Sequence, residues 1–266
     1  MNFTNKTVLI TGASSGIGKS FAYQLAAQGA HLILVARSLS VMEEIAADIK
    51  AKHQREVHVI QKDLSAVGSA AELHQEVLAR SLSVDVLINN AGFGKWGKFE
   101  SFAWDDYQRM NQLNTTSLVE LCYVFLEELK AKPEAGIINV GSTASFIPVP
   151  YSSVYGATKA FVLSFSEALT GELANTKVTV SCLCPGGTES NFSNVADPNK
   201  AADVSKANYL SADEVARIGI EALQAQKNYE VKPKNQIEEL NEWLKEPILR
   251  KEVMARVMKS EDLTVE

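Results

Sequence analysis

Residues 7–18 read TVLITGASSGIG: a β-branched, apolar run passes straight into Thr11-Gly12-Ala13-Ser14-Ser15-Gly16-Ile17-Gly18, and helix-forming sequence follows. A diphosphate needs backbone N–H groups at a helix N-terminus, where the helix dipole is positive. Glycines permit the tight turn and remove side chains that would block the approach. The spacing of Gly12, Gly16 and Gly18 is GxxxGxG, and its place between a strand and a helix is the context such a turn requires. The stretch predicts a strand–turn–helix unit built around a diphosphate.

Further strand candidates are Lys6–Thr11, His31–Ala36, Glu56–Gln61, Val84–Asn89, Gly136–Val140 and Val178–Cys184. Their centres are almost continuously apolar, as in LILVA and IINV, which indicates a parallel sheet buried on both faces. Helical patterns occupy 16–29, 39–53, 68–82, 105–131, 152–175 and 211–227. The alternation predicts an α/β fold, a doubly wound parallel sheet of the Rossmann type. No linker divides residues 1–230, so they read as a single domain. Within it, 185–210 forms an irregular substrate loop. Residues 231–266 carry Leu240, Trp243, Leu244, Ile248 and Leu249 at helical spacing and read as a C-terminal helical extension of that domain.

The 266 residues hold 26 Lys plus Arg against 32 Asp plus Glu, a net charge of -6. That balance lacks the basic footprint of a nucleic-acid binder. No apolar run approaches the roughly 18–20 residues of a membrane span, and no signal-peptide pattern opens the chain. Three cysteines are too few for a disulfide framework. A cytoplasmic location is expected. The four histidines offer no metal-ligand set, and Cys182 and Cys184, alternating on a strand, read as packing, so no metal is expected. Asp85 reads as a strand-start residue with a structural hydrogen bond.

Tyr155-Gly156-Ala157-Thr158-Lys159 opens a helix, where residues four apart share a face. An ammonium beside a phenol, and a positively charged ring nearby, would lower the phenol from its ordinary value of about 10. Tyr155 would then act as acid in carbonyl reduction and base in alcohol oxidation. Ser142 ends the strand IINV at the carboxyl edge of the sheet, where ligands of open α/β sheets bind, and Asn89-Asn90-Ala91-Gly92 follows the fourth strand at the same edge. Asn114 falls within a long helix, an unfavourable place that points to a local backbone or water contact. Arg37 stands at the end of the second strand, where NAD-selective sites carry an acid. Its guanidinium matches a 2′-phosphate, so NADP(H) is expected rather than NAD(H).

TGASSGIG, Asn-Asn-Ala-Gly, Ser142, Tyr155-x-x-x-Lys159 and Pro185-Gly186, in this order, resemble the short-chain dehydrogenase/reductase family over about residues 5–230. The resemblance implies a seven-stranded sheet and hydride transfer between a nicotinamide and a carbonyl or secondary alcohol. It implies that Gly12, Ser14, Ser15, Gly16, Ile17 and Gly18 cradle the diphosphate and that Asp63 and Leu64 contact adenine. Asn90, Ala91 and Gly92 would line the ribose, and Pro185, Gly186, Gly187 and Thr188 the nicotinamide. Ser142 would polarise the substrate oxygen, Lys159 would also bind the nicotinamide ribose, and Asn114 would hold a water in a proton relay. A homo-oligomer, dimer or tetramer, through helices 105–131 and 152–175 is implied as well. Phe93, Trp96, Phe146, Ile147, Val149, Tyr151 and Phe192 flank the expected site and predict an apolar substrate pocket. Two other readings stand beside this one. A non-catalytic NADP(H)-binding regulator would be expected to lose Tyr155, Lys159 or Ser142, and an epimerase or dehydratase usually carries a larger substrate domain.

Overall fold

The computed structural model describes residues 1–189, 192, 196 and 209–232. Its strands are β1 Thr7–Thr11, β2 His31–Ala36, β3 Val57–Gln61, β4 Val86–Asn89, β5 Ala135–Val140, β6 Val178–Pro185, β7 Thr188–Glu189, β8 Leu210–Ser211 and β9 Tyr229–Lys232. The helices are α1 Gly16–Ala27, α2 Leu39–His53, α3 Ser69–Ala79, α4 Trp104–Asn111, α5 Ser117–Lys130, α6 Ser153–Glu172 and α7 Ala212–Gln224. Seven strands form one parallel sheet in the order β3-β2-β1-β4-β5-β6-β9, and β7 and β8 pair separately.

The continuous apolar runs divide between two cores because successive side chains on a strand point to opposite faces. Val8, Ile10, Leu32, Leu34, Val86 and Ile88 join Phe21 of α1, Ile45 of α2 and Leu223 of α7 on one face. Leu9, Ile33, Val35, Leu87 and Ile137 join Leu73 of α3, Phe125 of α5 and Val162 of α6 on the other. Polar side chains interrupt the second core. Asn89 Nδ2 donates to Asn139 Oδ1 at 2.9 Å, and Asn139 Nδ2 donates to Ser166 Oγ at 3.0 Å.

Element bounds depart from the sequence expectation by at most three residues, and two differences carry meaning. The long helix expected over 105–131 is broken by a π-turn at Gln112–Thr116, between α4 and α5. The seventh strand, β9, falls on a short patch that periodicity alone does not mark, and its Glu230 is buried and paired with Lys227. Asp85 behaves as expected: its carboxylate accepts from the Thr7 N–H at 2.8 Å just before β4 begins. Most of loop 185–210, and the expected extension beyond Lys232, lie outside the described residues. Among the described residues no helix is long and apolar enough to cross a membrane.

Phe125 is fully buried and meets His74 of α3 edge-on at 4.8 Å between ring centroids. Phe125→Ala should lower the unfolding free energy by roughly 3–5 kcal/mol, read from urea titrations. A loss below about 1 kcal/mol would show that the α3–α5 layer is not tightly packed.

Candidate active site

The strand order reverses between β1 and β4, so the loops leaving their carboxyl ends diverge and open a crevice. A cavity of about 600 Å³ occupies it. From the β2 and β3 side it is lined by Arg37, Ser38, Lys62, Asp63, Leu64 and Ser65, and α4 adds Arg109. From the β5 and β6 side come Ser142, Tyr155, Lys159, Pro185, Gly186, Gly187 and Thr188. Gly12, Ser14, Ser15, Gly16, Ile17, Asn90, Ala91 and Gly92 line the middle.

Glycine is required in the first turn at Gly12 and Gly18 by close approach, and Gly16 also has a positive φ of 50°. Gly12 has φ +66°, and a Cβ there would lie 2.8 Å from Asn90 Nδ2 and 3.0 Å from the Ala91 backbone. A Cβ on Gly18 would lie 2.3 Å from the Gly12 carbonyl oxygen. Gly18 therefore lets α1 approach the turn; it is not among the residues that line the cavity. Ser15 caps α1 in an extended conformation with no side-chain hydrogen bond to the helix, and no acid occupies the first turn. The N–H groups of that turn stay available to an anion. Asn90 lines the cavity and also ties the two loops together. Its side chain donates to the carbonyls of Thr11 and Gly12 at 2.9 and 3.3 Å, while Thr11 Oγ1 accepts from the N–H groups of Asn90 and Ala91.

Ser142 leaves β5 in an extended conformation and caps the 3₁₀ turn Thr143–Ser145, its hydroxyl accepting from the Ala144 N–H at 3.1 Å. Ser145 Oγ accepts from the Ser142 N–H and donates to the Lys159 carbonyl, which ties the serine loop to α6. On α6, Tyr155 and Lys159 converge as the spacing predicts, with Lys159 Nζ 5.7 Å from the tyrosine ring centroid. Lys159 is 5% exposed, and its ammonium donates to the Val140 carbonyl at 2.8 Å.

The electrostatics depart from the sequence expectation. Burial pushes the Tyr155 phenol up to about 12, against a lowering hydrogen bond from Ser142. Tyr155 lines the cavity, and desolvation outweighs that hydrogen bond. Burial also lowers Lys159 to about 8, with the Cys182 and Cys184 thiols acting in the opposite sense. Those sulfurs lie 3.7 Å apart on one face of β6, as their alternation predicts.

Asn114 is fully buried on the π-turn. Its Oδ1 accepts from the Phe93 N–H at 3.2 Å, and its Nδ2 donates to the Phe93 carbonyl at 2.9 Å and Thr158 Oγ1 at 3.1 Å. A Cβ on Gly92 would touch both Asn114 Oδ1 and Lys159 Nζ, so the asparagine sits directly behind the cavity wall.

Of the expected substrate residues, Phe93, Trp96, Ile147, Val149 and Phe192 line the cavity. Phe192 lies 5.5 Å from the Tyr155 ring. Phe146 and Tyr151, also expected there, are not among the residues that line it. Phe146 packs against the core instead. Tyr151 has φ +62°, and its carbonyl accepts from the Gly97 N–H at 2.8 Å, so it shapes the loop rather than the pocket. Sequence reasoning missed Arg109, Leu113 and Tyr209. For Tyr209 the signal is Gly187, whose missing side chain leaves room for the tyrosine ring.

The chain matches the short chain dehydrogenase family over residues 6–201. It is 34% identical over 229 residues to the NADP-dependent 3-hydroxy acid dehydrogenase of Schizosaccharomyces pombe, covering 84% of this chain and 88% of that protein. Among solved structures it is similar to a short-chain dehydrogenase from Sphingobium yanoikuyae in complex with NADPH, with 31% identity, a TM-score of 0.78, and coverage of 86% and 88%. The bulky-bulky ketone specific alcohol dehydrogenase from Comamonas testosteroni superposes with a TM-score of 0.77 at 28% identity, covering 100% of this chain and 98% of that one.

The Lys159 shift has a measurable sign. The unfolded chain holds this proton up to about 10.5 and the native chain only to about 8. Native stability gains from Lys159 as pH rises between those values, and below about pH 8 the cost of burying the ammonium is present in full. Between about pH 7 and about pH 10, wild type should gain roughly 2–3 kcal/mol relative to Lys159→Met in urea titrations. Equal responses in the two proteins would remove Lys159 as the source.

Proposed function

The chain belongs to the short-chain dehydrogenase family, and we propose that it is an NADP(H)-dependent oxidoreductase that interconverts a neutral, apolar carbonyl compound and its secondary alcohol. One observation carries this reading. Ser142, Tyr155 and Lys159 converge on a switch-point cavity whose other described residues on that side, among them Phe93, Trp96, Ile147, Val149, Phe192 and Tyr209, include no ionised side chain.

The residues present fit a nicotinamide dinucleotide phosphate. The turn forms because Gly12 and Gly18 lack side chains, and α1 offers uncapped N–H groups to a diphosphate there. Arg37 offers a guanidinium to a 2′-phosphate. When bound, the nicotinamide supplies or takes up the hydride.

This chain's own groups handle the oxygen and the proton. Ser142 donates to the substrate oxygen and stabilises the charge that develops there. Tyr155, protonated at neutral pH because burial holds it near 12, gives its proton to that oxygen in reduction. In oxidation it must lose the proton first, and Lys159 is the cation placed to favour the phenolate. Asn114, fixed by Phe93 and Thr158 beside Lys159, connects the lysine to a water path. Among the described residues, the substrate side offers no cation to a substrate carboxylate other than Lys159, already bound to Val140. Exposed Tyr123 on α5 and Phe161 on α6 support assembly of copies through these helices.

Tyr155→Phe should lower kcat by roughly 10²–10⁴-fold, the scale of a lost general acid, while NADPH affinity by fluorescence titration stays within about threefold. Wild-type turnover in that variant would refute the assignment. In an NADPH-oxidation screen, bulky neutral ketones should turn over and free 3-oxo acids should react poorly. Preference for the acids would overturn the substrate class.

A further inference from the structure

The described wall of the cavity contains a single carboxylate, that of Asp63. Its Oδ1 accepts from the N–H and hydroxyl of Ser65 at 3.0 and 2.7 Å. Its Oδ2 lies 3.4 Å from Arg109 Nη2. The Arg109 guanidinium also donates to Ser65 Oγ, from Nε at 3.3 Å and from Nη2 at 3.2 Å. Arg109 reaches this corner from α4, and Leu113, one turn further on, lines the cavity too. At the start of α5 the Ser117 hydroxyl donates to the Leu64 carbonyl at 2.6 Å, which fastens the helix to the 63–65 turn. Arg37 is close enough to Asp63 to act on its charge, yet among the described residues it forms no ion pair.

The two arginines therefore have different duties. Arg37 is free to meet an anion. Arg109 is already opposed by Asp63. A lone carboxylate at this corner would repel a doubly charged 2′-phosphate and would favour the uncharged 2′-hydroxyl of NAD(H).

We infer that Arg109 is a positioning residue for cofactor choice: by pairing with Asp63 it offsets the one carboxylate of the described cavity wall beside the Arg37 corner, and so favours NADP(H) over NAD(H) without itself binding the phosphate. The inference rests on the reading that this cavity takes NADP(H), and binding measurements keep the two apart. Arg109 is half exposed, so its replacement leaves the fold intact. NADPH and NADH affinities are measured by fluorescence titration, without substrate, for wild type, Arg109→Gln, Arg109→Lys and the double variant Asp63→Asn with Arg109→Gln. Arg109→Gln should weaken NADPH by about tenfold and NADH by less than about twofold, with the difference shrinking in high salt. Arg109→Lys should keep most of the preference, and the double variant should regain it because the unpaired charge is gone. A ratio unchanged in Arg109→Gln, or a loss that Asp63→Asn does not repair, would overturn the inference alone. A wild type with no preference for NADPH would overturn the cofactor reading and the inference with it.

Discussion

The site depends first on a seam of hydrogen bonds between Thr11 and the Asn90–Ala91 backbone. A parallel sheet parts where its strand order reverses, and nothing in the β1–β4 ladder limits how far the two departing loops can separate. Thr11 Oγ1 receives both N–H groups of the β4 loop, and Asn90 returns a side-chain amide to the β1 loop. That reciprocal arrangement sets the width of the crevice. Glycine follows from it: with Asn90 and Ala91 held so close, Gly12 has no room for a side chain. Gly18 then follows from Gly12, because α1 must come down onto its carbonyl.

The opposite wall obeys a second constraint, the cost of burying a cation. Lys159 has a carbonyl for company rather than a carboxylate, and burial lowers the proton affinity of the amine while raising that of the neighbouring phenol. Desolvation thus pushes both groups toward their neutral forms. Such a pair is primed rather than active, because any negative charge brought near Lys159 would restore its proton and any positive charge brought near Tyr155 would ease the loss of one. The α5–α6 side of the fold holds this arrangement rigid through Asn114 and Ser145.

What the sequence discloses and what it hides follow from the range of the forces involved. Gly12, Ser142, Tyr155 and Lys159 are legible because their positions relative to strand ends and helix starts fix their geometry locally. Phe146 and Tyr151 are not, since an aromatic beside a site turns inward or outward according to loop geometry, here a left-handed residue that periodicity does not foretell. The π-turn at Asn114 hides for a similar reason: an i to i+5 bond leaves no compositional mark beyond an asparagine out of place. β9 escapes because four residues beside a complete strand need little pattern to pair. The raised phenol of Tyr155 escapes because spacing reports which groups are near and says nothing about how much water has been removed. Arg109 meets Asp63 across 46 positions of chain, a contact that only the folded state displays.

The buried Asn89–Asn139 pair has a consequence for how the sheet finds its alignment. When both faces of a sheet are apolar, sliding one strand past its neighbour exchanges one hydrophobic contact for another, and the alternation that guides a half-exposed strand is silent. VLIN of β4 and the IINV segment of β5 are such interchangeable neighbours until their asparagines are considered. In the native alignment Asn89 stands opposite Asn139, and a slip would break the amide–amide hydrogen bond between them and set each amide against hydrocarbon on the neighbouring strand. The pair therefore works like a key cut into an otherwise smooth surface. It gives up some hydrophobic contact and in return admits one mating of the two strands, the one that brings the Asn90 loop and Ser142 to the same brink.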